Sequence, residues 1–95
     1  MGLFNFWKSP LEQAAIECNI IIGLPKNHYN NQPLEESGRD EKAAYVALFT
    51  KAKQQGATHV SSPVLEKIKQ RVMLKDTVYY KSFGTAHTPI ELQPE

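Results

Sequence analysis

One cysteine, Cys18, in 95 residues excludes an internal disulfide, and that scarcity fits a reducing compartment. The five glycines stand singly, so no glycine-rich phosphate loop is present. Long apolar runs are missing too. The longest, Ile20-Ile21-Ile22-Gly23-Leu24, is far too short to cross a membrane. No apolar stretch of signal-peptide length follows Lys8, and Phe6 stands where a myristoylation signal prefers Ser or Thr. These absences point to a cytoplasmic protein with no membrane span. An excess of charge of either sign is also lacking: 11 Lys and Arg face 10 Asp and Glu, for a net charge of +1. A strongly basic nucleic-acid binder and a strongly acidic mimic of nucleic acid are both excluded.

What is present is ordinary for a folded protein. Apolar residues make up 41% and charged residues 22%, too apolar a mixture for a disordered chain. The length supports one core. The expected organisation is an apolar arm at 1–8, a single globular domain at 9–92 and a frayed end at 93–95. Charge is unevenly spread. Residues 1–50 carry four basic and six acidic side chains, net −2, and residues 51–95 carry seven and four, net +3.

Three helices are predicted. Ser9-Pro10-Leu11-Glu12 places a capping hydroxyl, a proline at the first helical position and a glutamate at the third. Leu11, Ala14, Ala15, Cys18 and Ile22 then recur at helical spacing, giving a helix over 10–22 that ends at Gly23. The β-branched run at 20–22 suits a strand better, so a helix breaking at Asn19 is the rival. Residues 25–38 are polar and hold two prolines, and are expected to form a long connection that presents His28, Tyr29 and the Asn30-Asn31 pair. The second helix, 39–55, is the clearest: Tyr45, Leu48, Phe49 and Ala52 form one stripe, acids lie at its start, lysines at its end, and Gly56 follows. Ser62-Pro63 repeats the cap-then-proline pattern and opens a predicted third helix over 63–73. Its inner face would be Leu65, Ile68 and Val72 and its outer face Lys67, Lys69 and Arg71. Residues 77–83 and 87–92 are predicted as a hairpin.

The expected fold is therefore α+β, three helices followed by a C-terminal β-hairpin in winged-helix-like order. The alternative is a small α/β layer whose three-stranded sheet uses Ile20–Leu24, Ala57–Val60 and Val78–Phe83. The predicted core comprises Leu11, Ala15, Cys18, Tyr45, Leu48, Phe49, Leu65, Ile68 and Val72.

Site chemistry is sparse. Cys18, His28, His59 and His87 are isolated from one another and match no metal-ligand spacing, so neither metal nor cofactor is expected. Cys18 belongs to an apolar stripe, where a thiol is a small inert core residue. Glu35, Glu36, Asp40 and Glu41 cluster at a helix entry, where solvation and dipole pairing account for them. The reading that follows is a non-enzymatic binding protein, a regulator, inhibitor or accessory subunit acting on a protein partner. Its anchors would be Phe4, Phe6, Trp7, His28 and Tyr29, since aromatic side chains are common interface anchors. A homo-oligomer is compatible with it. The alternative is nucleic-acid binding. Ala52 and Gly56 have the spacing of a helix-turn-helix, and Lys67, Lys69, Gln70, Arg71 and Lys81 would meet phosphates.

Overall fold

Ser9 caps the first described element as its sequence suggests. In the computed structural model, which describes residues 9–26 and 28–90, the Ser9 hydroxyl accepts from the backbone N–H of Glu12 at 3.2 Å and Pro10 takes the first helical position. The predicted arm at 1–8, with Phe4, Phe6 and Trp7, and the predicted fray at 93–95 lie outside the described residues.

Helix α1 (Pro10–Cys18) is shorter than the 10–22 predicted. Asn19 takes a left-handed conformation, φ 55°, and the N–H groups of Asn19 and Ile20 close back onto Ile16 and Ala15. That is a Schellman ending with asparagine in the position usually held by glycine. The β-branched residues after it then do what their stiff side chains favour, and Ile21–Ile22 forms strand β1.

The 25–38 segment, expected as a connection, is corrected to a strand over most of its length, β2 (Tyr29–Gly38). It is an edge strand with mostly exposed side chains, so it has no apolar alternation to betray it. Pro33 is tolerated because an edge needs no N–H on its free side. Helix α2 (Glu41–Gln54) follows, capped by Asp40, whose carboxylate accepts from Ala43 N–H at 2.7 Å. Gly56, at φ 86°, ends it in a second Schellman motif, with Gly56 and Ala57 N–H returning to Lys53 and Ala52.

The third helix does not exist. Residues 63–73 belong mainly to β3 (His59–Val72), which turns at Met73-Leu74 into β4 (Lys75–Pro89). The predicted hairpin of 77–83 and 87–92 is not formed either, since Lys75–Pro89 is one continuous strand, and the winged-helix order is overturned. The α+β class holds, with two helices and a four-stranded mixed sheet ordered β1-β3-β4-β2 among the described residues. β1 runs parallel to β3, and the other neighbours are antiparallel. The three segments of the alternative sheet each contribute to this one, and β2 is its fourth strand.

α2 covers one face of the sheet, against β2, β4 and β3, and α1 packs on α2. Leu48 and Phe49 of α2 are fully buried against Val60, Ala86 and Leu34, with Ala14, Ala15 and Ile20 closing the layer from α1 and the segment after it. Burying each large apolar side chain contributes roughly 1.5–3 kcal/mol. Ser82, also fully buried, donates its hydroxyl to the Ala44 carbonyl at 2.7 Å and ties β4 to α2. Of the predicted core, Ala15, Tyr45, Leu48 and Phe49 are buried, and Leu11, Cys18 and Leu65 pack against them. Ile68 is half-buried. Val72 is exposed, because it stands near the end of a strand that has left the helices behind.

Candidate functional site

A β-bulge sets the geometry of that departing strand. Ser61 pairs with Thr85 and Val64 with Phe83, so Ser62 and Pro63 together oppose Gly84, and Ser62 sits at φ 51°. Gly84 is required there: a Cβ would meet Val60 Cγ1 at 2.9 Å and Leu48 Cδ2 at 3.3 Å. The extra residue reverses the alternation of β3. Before the bulge the even-numbered Val60 faces the helices; after it the odd-numbered Leu65 does. Lys67, Lys69 and Arg71 therefore share the helix-side face, while Val64, Glu66, Ile68 and Gln70 share the other.

β2 stops pairing with β4 at Gly38 opposite Tyr80. Beyond that point Ile68–Val72 and Lys75–Tyr79 pair only with each other, a two-stranded ribbon reaching about 17 Å past the sheet. The molecule is accordingly long, 63 × 34 × 18 Å, with a radius of gyration of 15.5 Å against about 13 Å for a compact chain of this size. A two-residue loop closes the ribbon, with Met73 at φ 51° and Leu74 at φ 67°. Positive φ at both loop positions normally calls for Asn-Gly or a similar pair. Here two large apolar residues hold it, 93% and 89% exposed, with Val72 and Val78 also exposed beside them.

The residues proposed for nucleic acid lie on this ribbon or at its root, on strands and not on a helix. Lys67, Lys69 and Arg71 project from one face, with Arg71 facing Asp76 across the pair at 3.6 Å. Gln70 and Lys81 point to the opposite face, and Lys81 lies 3.5 Å from Glu35. Ala52 and Gly56 end a helix that leads into a strand, so they form no helix-turn-helix.

At the other end of the sheet, Ile21, His59, His87 and Asn31 stand side by side in one row across all four strands. They lie on the face the helices leave open. His87 is only 3% exposed, with Tyr29 packed edge-on against it at 4.8 Å between ring centres. Its Nδ1 lies 2.7 Å from Asn31 Oδ1 and its Nε2 2.6 Å from Ser61 Oγ. A carbonyl oxygen only accepts, so Nδ1 carries the proton and Nε2 accepts from the Ser61 hydroxyl. Burial, and then the neighbouring His59, push the His87 pKa below its ordinary 6.5, which keeps the ring neutral. A hydroxyl, an imidazole and an amide in this order can hold a proton on a defined atom. With both ring nitrogens of His87 satisfied internally, these contacts also fasten β2, β4 and β3 together.

Of the other predicted anchors, Tyr29 is thus engaged within the molecule, and His28 is exposed just before β2. Cys18 is half-buried between the helices, 3.8 Å from the Val46 carbonyl and 3.7 Å from the Thr50 hydroxyl. Among the described residues no group of three His, Cys, Asp or Glu side chains is placed to hold a metal, and no helix is long and apolar enough to cross a membrane. Sequence reasoning singled out the Asn30-Asn31 pair but missed Ser61 and the ribbon tip. Of the histidines it treated as isolated, strand register brings His59 opposite His87, a relationship without a fixed sequence spacing. No protein-family model, curated protein or solved structure matches the chain.

Proposed function

We propose that this is a non-enzymatic binding module that acts through contact with another protein, made by the β3–β4 ribbon. The observation that carries the proposal is the tip, where Met73 and Leu74 occupy strained backbone at almost full exposure. Two large apolar side chains at the end of a projecting ribbon are costly in water and gain by entering a pocket elsewhere. Such a module suits a regulator, an inhibitor or an accessory subunit.

A photo-crosslinker placed at residue 73 tests it, with one at exposed Lys51 on α2 as control. The expected result is a defined product from position 73 and none from position 51. Unlabelled wild-type protein should suppress the product, and M73N/L74G protein should not. Equal products from both positions, or equal competition by the variant, would overturn the proposal.

A second reading, nucleic-acid binding, is supported by the placement of Lys67, Lys69 and Arg71 on one face of the ribbon. A two-stranded ribbon fits the major groove of a duplex, and phosphate contacts make such binding steeply salt-dependent. Fluorescence anisotropy of labelled duplex DNA at low and near-physiological salt tests this. Replacing the three cations with alanine should abolish any affinity seen. Affinity retained by that variant would place binding elsewhere.

A further inference from the structure

β1 is only two residues long, so it leaves apolar surface uncovered beside β3. Ile21 is 58% exposed, Ile22 40% and Leu24 62%, and all three line one cleft of about 470 Å³, within the range of small-ligand sites. Pro25 and Pro89 contribute to its walls, and their fixed φ angles favour a preformed shape. The ionisable groups lining the cleft are all basic: Lys26, His28 and His59. No carboxylate among the described residues lines it. His59 is oriented by the Thr58 hydroxyl, 2.7 Å from its Nδ1. When that hydroxyl donates, the proton of the neutral ring resides on Nε2, which is then a donor.

We propose that this cleft binds a small amphipathic carboxylate, an aliphatic or aromatic acid whose apolar body lies on Ile21, Ile22 and Leu24 and whose carboxylate meets Lys26, His28 and His59. Apolar area supplies the larger part of the attraction, and the Lys26 ammonium, with the imidazole N–H donors of His28 and His59, fixes orientation and selects against neutral analogues. The ribbon tip lies at the far end of β3, so this proposal stands apart from the protein-contact reading.

The test is a nitrogen-15 NMR titration with 1-naphthylacetate and, separately, the near-isosteric neutral 1-naphthaleneacetamide. The acid is expected to bind about tenfold more tightly than the amide. Shifts should centre on the amides of residues 21–24, 26, 28, 58 and 59. In the Lys26→Gln/His59→Gln variant the acid should bind no better than the amide, whose own affinity should be unchanged. Lys26→Gln alone, at an exposed side chain, should narrow the difference if the double variant folds poorly. Equal affinity of acid and amide for the wild type, shifts centred elsewhere, or no shift up to about 10 mM of the acid would overturn the proposal.

Discussion

The hydroxyl of Ser61 and the imidazole of His87 meet across β3 and β4 at 2.6 Å, although the two residues are not directly opposite in the ladder. Ser61 pairs with Thr85, and His87 lies two residues further along the same face. The contact is a diagonal one that long side chains can span. Asn31, directly opposite His87 on β2, closes the other side.

That arrangement makes stability depend on pH with a definite sign. In the folded protein His87 resists protonation because it is buried and His59 is near, so its pKa lies below 6.5. The unfolded chain takes up the proton at about its ordinary pKa. As the pH falls through 6.5 the unfolded state binds more protons than the folded one, and stability declines until the lowered folded pKa is passed. Above 6.5 the contribution is fully present. Urea unfolding at about pH 7.5 and about pH 5.5 should show a lower midpoint at the acidic value, and His87→Gln should shrink that difference. An undiminished difference in the variant would assign the titration to other groups.

Removing the hydroxyl leaves Nε2 of a buried ring without a donor. Ser61→Ala is expected to cost about 1–3 kcal/mol near neutral pH, measured by the same unfolding experiment. A change below about 0.5 kcal/mol would mean that water replaces the hydroxyl there.

Gly84 joins the bulge to the core. Gly84→Ala should destabilise by about 1–3 kcal/mol, because its methyl group would press on Val60 and Leu48. In Val60→Ala/Gly84→Ala the two costs should sum to less than their separate values, since trimming Val60 makes the room the new methyl needs. Strict additivity in the double-mutant cycle would show that the strain is relieved elsewhere.

The bulge also explains where the sequence misleads. Ser9-Pro10 and Ser62-Pro63 are the same dipeptide, and each precedes apolar residues at helical spacing. Ser9 adopts extended backbone and caps a helix, whereas Ser62 turns left-handed and starts a bulge. What separates them is tertiary. Residues 64–72 can pair with β4 along their whole length, and strand pairing overrides a local cap. Leu65, Ile68 and Val72 fit helical spacing, yet in the strand Leu65 lies on one face and Ile68 and Val72 on the other. α2 is legible because Asp40, the Tyr45–Leu48–Phe49–Ala52 stripe and Gly56 all agree with its packing. β2 is hidden because an exposed edge strand needs no apolar pattern. The row of His59, His87 and Asn31 is hidden because register, not spacing, assembles it.

The ribbon tip allows a prediction in which function and stability oppose each other. A two-residue loop with both residues at positive φ suits Asn-Gly, while a side chain such as Met or Leu pays roughly 1–2 kcal/mol per residue in that region. The tip makes no use of its side chains inside the molecule, given how exposed they are. M73N/L74G should therefore raise stability by about 1–2 kcal/mol while keeping the ribbon's register, as read by urea unfolding and cross-strand amide contacts between Val72 and Lys75. A more stable variant that no longer competes for the partner would mean that Met73 and Leu74 are kept at the expense of folding stability because something outside the molecule receives them. A destabilised variant would mean instead that the tip contributes to folding, and its exposure would lose its force as a sign of binding.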